Sequence, residues 1–427
     1  MSTSPRRHLP ALLALSLGGF AIGLTEFVAM GLLPDIARNL LPAQYAQSVP
    51  KSVAHAGWMI TVYALGVVIG APLFAALAAR VPRKKMVLGL LTLFMVGTVA
   101  SALAPTFGLV LLARFVAALP HGAYFGAAGL VAASLMGPGK AGRGFAVVLG
   151  GLTVANVVGV PLITRLGQAA GWRVAYLAIA AVFALTFVAV AATVPHSNDH
   201  ATGSPRSELR ALRAPQVWLV AAIGAIGFSG FFAINSYIAP VTTHVAGLSA
   251  GTVPWILVAL GLGMTTGNAL GGWLADRDLR RATLLGFPAF IAAMVTFGLI
   301  SRFPAGLMLG AFLIGATSLF LGPAMQARLI QVAPDAQLMG AAVNQSAMNV
   351  GNSLGALLGG AVIAGGLGYT APTWVGVAMG GVGFGLAGVS FALDRRSVQR
   401  RRRQAVEARR EAEKRAALAA SRSASVG

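Results

Sequence analysis

Twelve long apolar runs, parted by short polar gaps, decide what this chain can fold into. They cover roughly residues 10–34, 56–79, 86–104, 107–131, 144–164, 174–194, 216–243, 253–275, 283–301, 304–327, 338–366 and 370–393. Each is close to the ~20 apolar residues that an α-helix needs to cross the hydrocarbon core of a bilayer. Lipid offers no hydrogen bonds, so the backbone of each run must satisfy its own N–H and C=O groups, which a helix does. Only 10% of the 427 residues are charged and mean hydropathy is +0.78, whereas a soluble domain carries about 25% charged residues. A water-facing surface cannot be built from so few charges. The expected fold class is an all-α membrane protein of twelve transmembrane helices. The gaps after 104, 301 and 366 are so short that the helices flanking them must be antiparallel neighbours.

The basic residues set the expected orientation. A net charge of +21 raises the possibility of a nucleic-acid partner, but the charges sit in the gaps and the tail, where positive residues set membrane topology. With the N-terminus placed inside, 26 Lys and Arg fall in inside segments and five in outside segments, with Arg114 left within a span. The excess predicts an even number of spans, both termini in the cytoplasm, and a place in the inner or plasma membrane. Arg6 and Arg7 precede the first run as they would in a signal peptide. That run continues past Glu26 to Pro34 and eleven like it follow, so it reads as the first span. Residues 195–215 read as a cytoplasmic linker between halves 1–194 and 216–393. Residues 394–427 form a basic cytoplasmic tail of net charge +7, suited to anionic headgroups.

Several function classes drop out. There is no cysteine, hence no disulfide and no thiol chemistry. The six histidines are scattered along the chain, so neither a metal site nor an enzyme is expected. Gly137-Pro138-Gly139-Lys140 lacks the earlier glycine and the following Ser or Thr of a phosphate loop. No polar stretch is long enough to house a nucleotide domain, which argues against an ATP-driven pump.

The chain repeats itself. A shift of 197 residues superposes Trp58 on Trp255, Gly66 on Gly263, Gly70 on Gly267 and Arg80 on Arg277. A shift of 196 superposes Asn156 and Gly159 on Asn352 and Gly355, and one of 206 superposes Pro34 on Pro240. Parallel six-span repeats are a transporter architecture, with the solute site between the halves near the bilayer midplane.

From about Leu9 to Leu393 the chain resembles the major facilitator superfamily, in particular its twelve-span drug:proton antiporter branch, and it is similar to sugar-efflux and chloramphenicol-resistance exporters. The resemblance rests on Leu24-Thr25-Glu26-Phe27 through Pro34-Asp35 and on Arg80-Val81-Pro82-Arg83-Lys84-Lys85 with its counterpart Gly271-Gly272-Trp273-Leu274-Ala275-Asp276-Arg277. It rests also on Arg114 with His121-Gly122-Ala123-Tyr124-Phe125-Gly126, on Gly151 through Asn156 to Gly159-Val160-Pro161, and on Asn344-Gln345 through Gly359-Gly360. Two positions depart from the family pattern. Ala75 and Ala79 stand where the first-half loop motif has Gly and Asp, and Val160 separates Gly159 from Pro161. The resemblance implies two pseudo-symmetric six-helix bundles working by alternating access.

Glu26 and Arg114 are the two charges well inside spans, where a charge costs several kcal/mol and normally faces a cavity or a partner. At 1.5 Å per residue Glu26 lies about 6 Å, and Arg114 about 7–8 Å, to the outer side of their helix centres. The two are expected to couple, directly or through water, with Glu26 as the proton-binding group. Burial favours a protonated carboxyl and a nearby cation an ionised one, so alternating access can switch between the two. Asp35, at the outer end of the first helix, is a second protonation candidate. Tyr124, His121, Asn156, Asn235, Tyr237, Asn344 and Asn349 are candidates to line the substrate cavity, as sparse polar groups among apolar walls. Arg80, Arg83, Lys84, Asp276 and Arg277 are candidates for an inner gate, and Gly159 with Pro161 for a seal between halves. The expected function is proton-coupled efflux of small neutral or cationic amphipathic compounds such as chloramphenicol. The alternatives are export of a sugar or metabolite, or proton symport for uptake. The expected partners are a small-molecule substrate, protons and the bilayer, with no cofactor beyond the proton gradient, no nucleic acid, and a monomeric state.

Overall fold

In a computed structural model, residues 8–78, 81–136, 141–195, 214–332 and 337–394 are described. Arg80, nearly all of the linker and nearly all of the basic tail lie outside them. Twelve helices are long and apolar enough to cross a membrane. They are α1 (Leu9–Leu40), α2 (Val49–Ala71), α3 (Arg83–Leu103), α4 (Phe107–Met136), α5 (Arg143–Ala170), α6 (Trp172–Thr193), α7 (Pro215–Asn235), α8 (Ala250–Arg277), α9 (Leu279–Ile300), α10 (Pro304–Leu329), α11 (Val343–Ala364) and α12 (Ala371–Asp394). No strand occurs among the described residues.

Local chemistry fixes several helix ends. Thr106 accepts from the Leu109 N–H and caps α4, and Asp278 accepts from the Arg281 N–H at 2.9 Å and caps α9. Such side-chain oxygens satisfy amides that a first helical turn leaves unpaired. Other ends differ from the sequence-based expectation. The first span does not stop at Pro34 but runs through it to Leu40. α2 begins at Val49 rather than 56, after a short helical segment, Pro42–Gln47. The seventh span, expected as 216–243, breaks after Asn235 and resumes as Ile238–Pro240 and a π turn, Val241–Val245. α4 breaks into Phe107–Ala118 and His121–Met136, since Pro120 has no N–H to give and its ring blocks the preceding turn.

The pairings inside the two halves repeat. α1 packs on α5 and α2 on α4 as α7 packs on α11 and α8 on α10. α3 lies against α6 through stacked Phe94 and Phe183, and α9 against α12 through Phe287 and Phe384. Burial separates central from peripheral helices: 78% of the apolar window of α1 and of α7 is buried, against 28% for α12. The exposed leucines and valines of outer helices, Leu185, Val188 and Leu299 among them, face where lipid tails would lie.

The halves meet through α1 with the segment Ile238–Pro240 that follows α7, α2 with α11, α5 with α8, and α4 with α11. The Gln168 side chain donates to the Ala250 carbonyl at 2.8 Å, and the Asn235 amide approaches Met30 Sδ at 2.9 Å. These contacts run from the middle of the bundle to the end away from the chain termini. Close approach requires glycine at Gly261, where a Cβ would strike the backbone of Asn156 and Val157.

Arg328, one residue past the apolar run 304–327, is still helical and 4% exposed. It pairs with Asp394 at 2.5 Å and donates to Ser390 at 3.0 Å, joining the ends of α10 and α12.

Candidate functional site

α1 and α4 bring Glu26, Thr25, Arg114 and His121 to one layer near the middle of the bundle. Arg114 is reached from the first segment of α4, and the Pro120 break places His121 at the head of the second.

Glu26 is 7% exposed and is the only buried acid among the described residues. Its Oε1 accepts from the Asn352 amide of α11 at 3.4 Å, and its Oε2 lies 3.9 Å from His121 Nε2. Glu26 is thus held by both halves. Asn352 is the residue that the repeat superposes on Asn156.

Arg114 is 1% exposed. Its Nη1 donates to Thr25 Oγ1 at 2.9 Å, and its guanidinium carbon lies 4.1 Å from the Tyr63 ring centroid and 5.5 Å from that of Tyr176. Nε and Nη2 have no hydrogen-bond acceptor among the described residues, so the aromatic faces provide much of what the cation lost with water. Arg114 and Glu26 form no direct ion pair. The connection runs through Thr25, the residue before Glu26.

His121 is fully buried. Its Nδ1 is 3.2 Å from the Tyr63 hydroxyl, and its Nε2 accepts from the Gln345 amide of α11 at 3.3 Å. Tyr63, Tyr176, Gln345 and Asn352 were not named as site residues from sequence. For α11 a signal was present: Gln345, Asn349 and Asn352 recur at i, i+4 and i+7, one face of a helix. For the tyrosines none was, because hydropathy does not reveal which way a helix is rotated.

Other predicted site residues lie apart from this cluster or serve packing. The Tyr124 hydroxyl donates to the Leu15 carbonyl at 2.9 Å and the Tyr237 hydroxyl to the Ala356 carbonyl at 2.7 Å, and both rings are fully buried. These two tyrosines tie α4 to α1 and the end of α7 to α11. The Asn349 amide donates to the Gln345 carbonyl of its own helix at 3.0 Å. Asn344 is half-buried, with its Oδ1 unpartnered. Asn156 sits on a π turn, Ala155–Gly159, and Gly159 and Pro161 are buried. A Cβ on Gly159 would meet Leu24 and Phe20 of α1. Asp35 is half-buried and pairs with Arg38 at 2.6 Å.

Of the gate residues, Lys84 is buried and donates to the Ala191 carbonyl at 2.8 Å, tying α3 to α6. Arg83 is half-buried. Asp276 is exposed and takes no part in an ion pair among the described residues. Arg277 lies over the Trp273 ring, 3.8 Å from its centroid.

The sequence profile described as Major Facilitator Superfamily matches residues 15–250 and 228–425. The chain belongs to the Major Facilitator Superfamily. It is 37% identical over 372 residues to the inner membrane transport protein YdhP of Escherichia coli, covering 87% of this chain and 93% of that protein. It is 32% identical over 358 residues to a chloramphenicol resistance protein of Streptomyces lividans, covering 83% and 89%. Among solved structures it is similar to a D-xylose–proton symporter, at TM-score 0.71 and 16% identity over 89% of this chain and 97% of that one. A bacterial homologue of the lysosomal transporter Spinster gives TM-score 0.69 at 17% identity, over 91% and 98%. At such identities the structures speak for the fold alone. As a member of this superfamily the chain is a multi-pass membrane transporter of small molecules and not an enzyme.

Proposed function

We propose that the protein exports small neutral or cationic amphipathic compounds, of the chloramphenicol type, in exchange for protons, with Glu26 as the proton-binding group and both termini in the cytoplasm. The observation that carries this reading is Glu26 itself, the only buried acid among the described residues, held at mid-bundle between Asn352 of one half and the α1–α4 layer of the other. A buried carboxyl that both halves touch feels a different environment whenever the halves rock, so its proton affinity follows the conformation. Export is supported by the chloramphenicol resistance relative, and cytoplasmic termini by the 26-to-five distribution of basic residues. Arg114 is the only buried cation in this layer among the described residues, and a strongly anionic substrate would need more.

The test is accumulation of radiolabelled chloramphenicol, with dyes and sugars in parallel, in a host stripped of its own pumps. Cells carrying the protein should accumulate less, and an uncoupler should abolish the difference. Glu26→Gln protein, present at wild-type amounts in the membrane, should not restore it. Undiminished gradient-driven efflux by Glu26→Gln would overturn the assignment of Glu26. Efflux that survives the uncoupler would overturn proton exchange.

A further inference from the structure

His121 touches three helices besides its own, and its contacts differ in what they tolerate. The Tyr63 hydroxyl, 3.2 Å from Nδ1, can accept or donate. The Gln345 amide nitrogen, 3.3 Å from Nε2, can only donate. A neutral imidazole accepting at Nε2 carries its proton on Nδ1. Glu26 Oε2, 3.9 Å from the same Nε2, then faces a lone pair. Two acceptors facing one another inside the protein repel unless Oε2 bears a proton.

We propose that His121 reports the protonation of Glu26 to the other half of the protein through Gln345, which acts as a positioning residue for coupling. The inference rests on the reading of Glu26 as the proton-binding group. With Glu26 protonated, the ring proton sits on Nδ1, and Nε2 accepts from Gln345 of α11. When Glu26 loses its proton, the carboxylate favours the other tautomer, with the ring proton on Nε2 pointing at Oε2. The ring stays neutral throughout and exchanges its proton with water. Tyr63 then donates to Nδ1, so the contact with α2 survives. The Gln345 N–H now meets an N–H, and the contact between halves is lost. An inverted amide would offer its carbonyl, but the carboxylate is the stronger acceptor for the single Nε2 proton. The ionisable groups around this ring are Glu26 from α1 and Tyr63 from α2, with Arg114 of α4 and Tyr176 of α6 beyond Tyr63. On α11 the facing residues, Gln345, Asn349 and Asn352, are neutral. A single change on Glu26 is therefore passed on by tautomer rather than by charge.

Two measurements on the full chain in lipid nanodiscs test this. The first is nitrogen NMR of histidine-labelled protein, with His121→Asn identifying the His121 signals. The proton should sit on Nδ1 in acid buffer and on Nε2 in alkaline buffer, and should stay on Nδ1 in Glu26→Gln. The second is the distance between spin labels on Leu73→Cys and Leu270→Cys, exposed positions on α2, which continues to Ala78, and on α8. The chain has no cysteine of its own, so labelling is specific. The wild-type distance should change between the two buffers. Gln345→Met should lose that change while its His121 signals still shift, which also shows that its site is folded. A tautomer that does not move with pH in wild-type protein, or a full distance change in Gln345→Met, would overturn the inference. If wild-type efflux is itself indifferent to the proton gradient, the reading of Glu26 fails instead.

Discussion

The guanidinium of Arg114 lies 4.1 Å from the centroid of the Tyr63 ring and not against the carboxylate of Glu26. The similar depth of the two charges made coupling, directly or through water, the expectation. The cation instead sits between two aromatic faces, with Thr25 as its only hydrogen-bond acceptor among the described residues. A planar, delocalised cation suits that setting and a compact ammonium does not. Arg114→Lys should therefore lower stability by about 2 kcal/mol, the scale of a desolvated cation–π contact, although charge is conserved. Thermal unfolding in detergent checks it, and an unchanged midpoint would mean that the aromatic faces contribute little.

Glycines in this bundle fall into two kinds, and the same substitution should act oppositely on them. A Cβ on Gly267 would strike the backbone of Ala316, whereas one on Gly89 meets nothing within 4 Å. Gly267→Ala should force α8 from α10 at a cost of about 1–3 kcal/mol. Gly89→Ala, on an exposed face of α3, should stabilise by about 0.5–1 kcal/mol through lost backbone freedom. Unfolding of the two variants side by side gives the comparison.

The Arg328–Asp394 pair allows a test by partner removal. Arg328 is 4% exposed and its Nε already lacks an acceptor among the described residues. Asp394→Ala leaves a buried cation with fewer partners and should cost about 1–3 kcal/mol. Arg328→Met combined with Asp394→Ala removes the charge as well, and should be more stable than the single Asp394→Ala variant. A double variant less stable than the single would show that the arginine holds α10 and α12 by packing rather than by charge.

Asp35 is bound to Arg38 at the end of α1, with 29% of its side chain exposed. Its pairing is a partly solvated one, so Asp35→Asn should cost no more than about 1 kcal/mol. It should also leave gradient-driven efflux in place. Loss of efflux equal to that of Glu26→Gln would make Asp35 a second obligatory carboxyl.

The twelve helices were legible because lipid imposes a length and an apolar composition that a linear scan can read. The repeat was legible because glycines at helix crossings, such as Gly263 and Gly267, keep their spacing in both halves. The site was legible in part. Glu26 and Arg114 stand out by the cost of placing charge in hydrocarbon, whatever their neighbours are. Their neighbours depend on helix rotation. Tyr63 reaches Arg114, and His121 reaches Glu26, only because of how α2 and the second segment of α4 are turned. Tyr124 and Tyr237 show what a linear reading leaves out: each reads as a polar group available to a solute, and each hydroxyl donates to a backbone carbonyl across a helix crossing. Arg328 lies one residue beyond the apolar run 304–327, where a count of apolar residues stops. Its helix continues because Ser390 and Asp394 give it partners.

The π turn at Ala155–Gly159 carries one residue more than an α-helical turn would hold. That surplus rotates everything beyond it by about 100°, the angle of one residue. Ala155 and Gly159 thereby seat on α1, while the backbone of Asn156 and Val157 meets Gly261 of α8. A regular helix would present one continuous stripe to one neighbour. This one divides its stripe between its own bundle and the opposing one, so that a single turn of α5 is in contact with both halves.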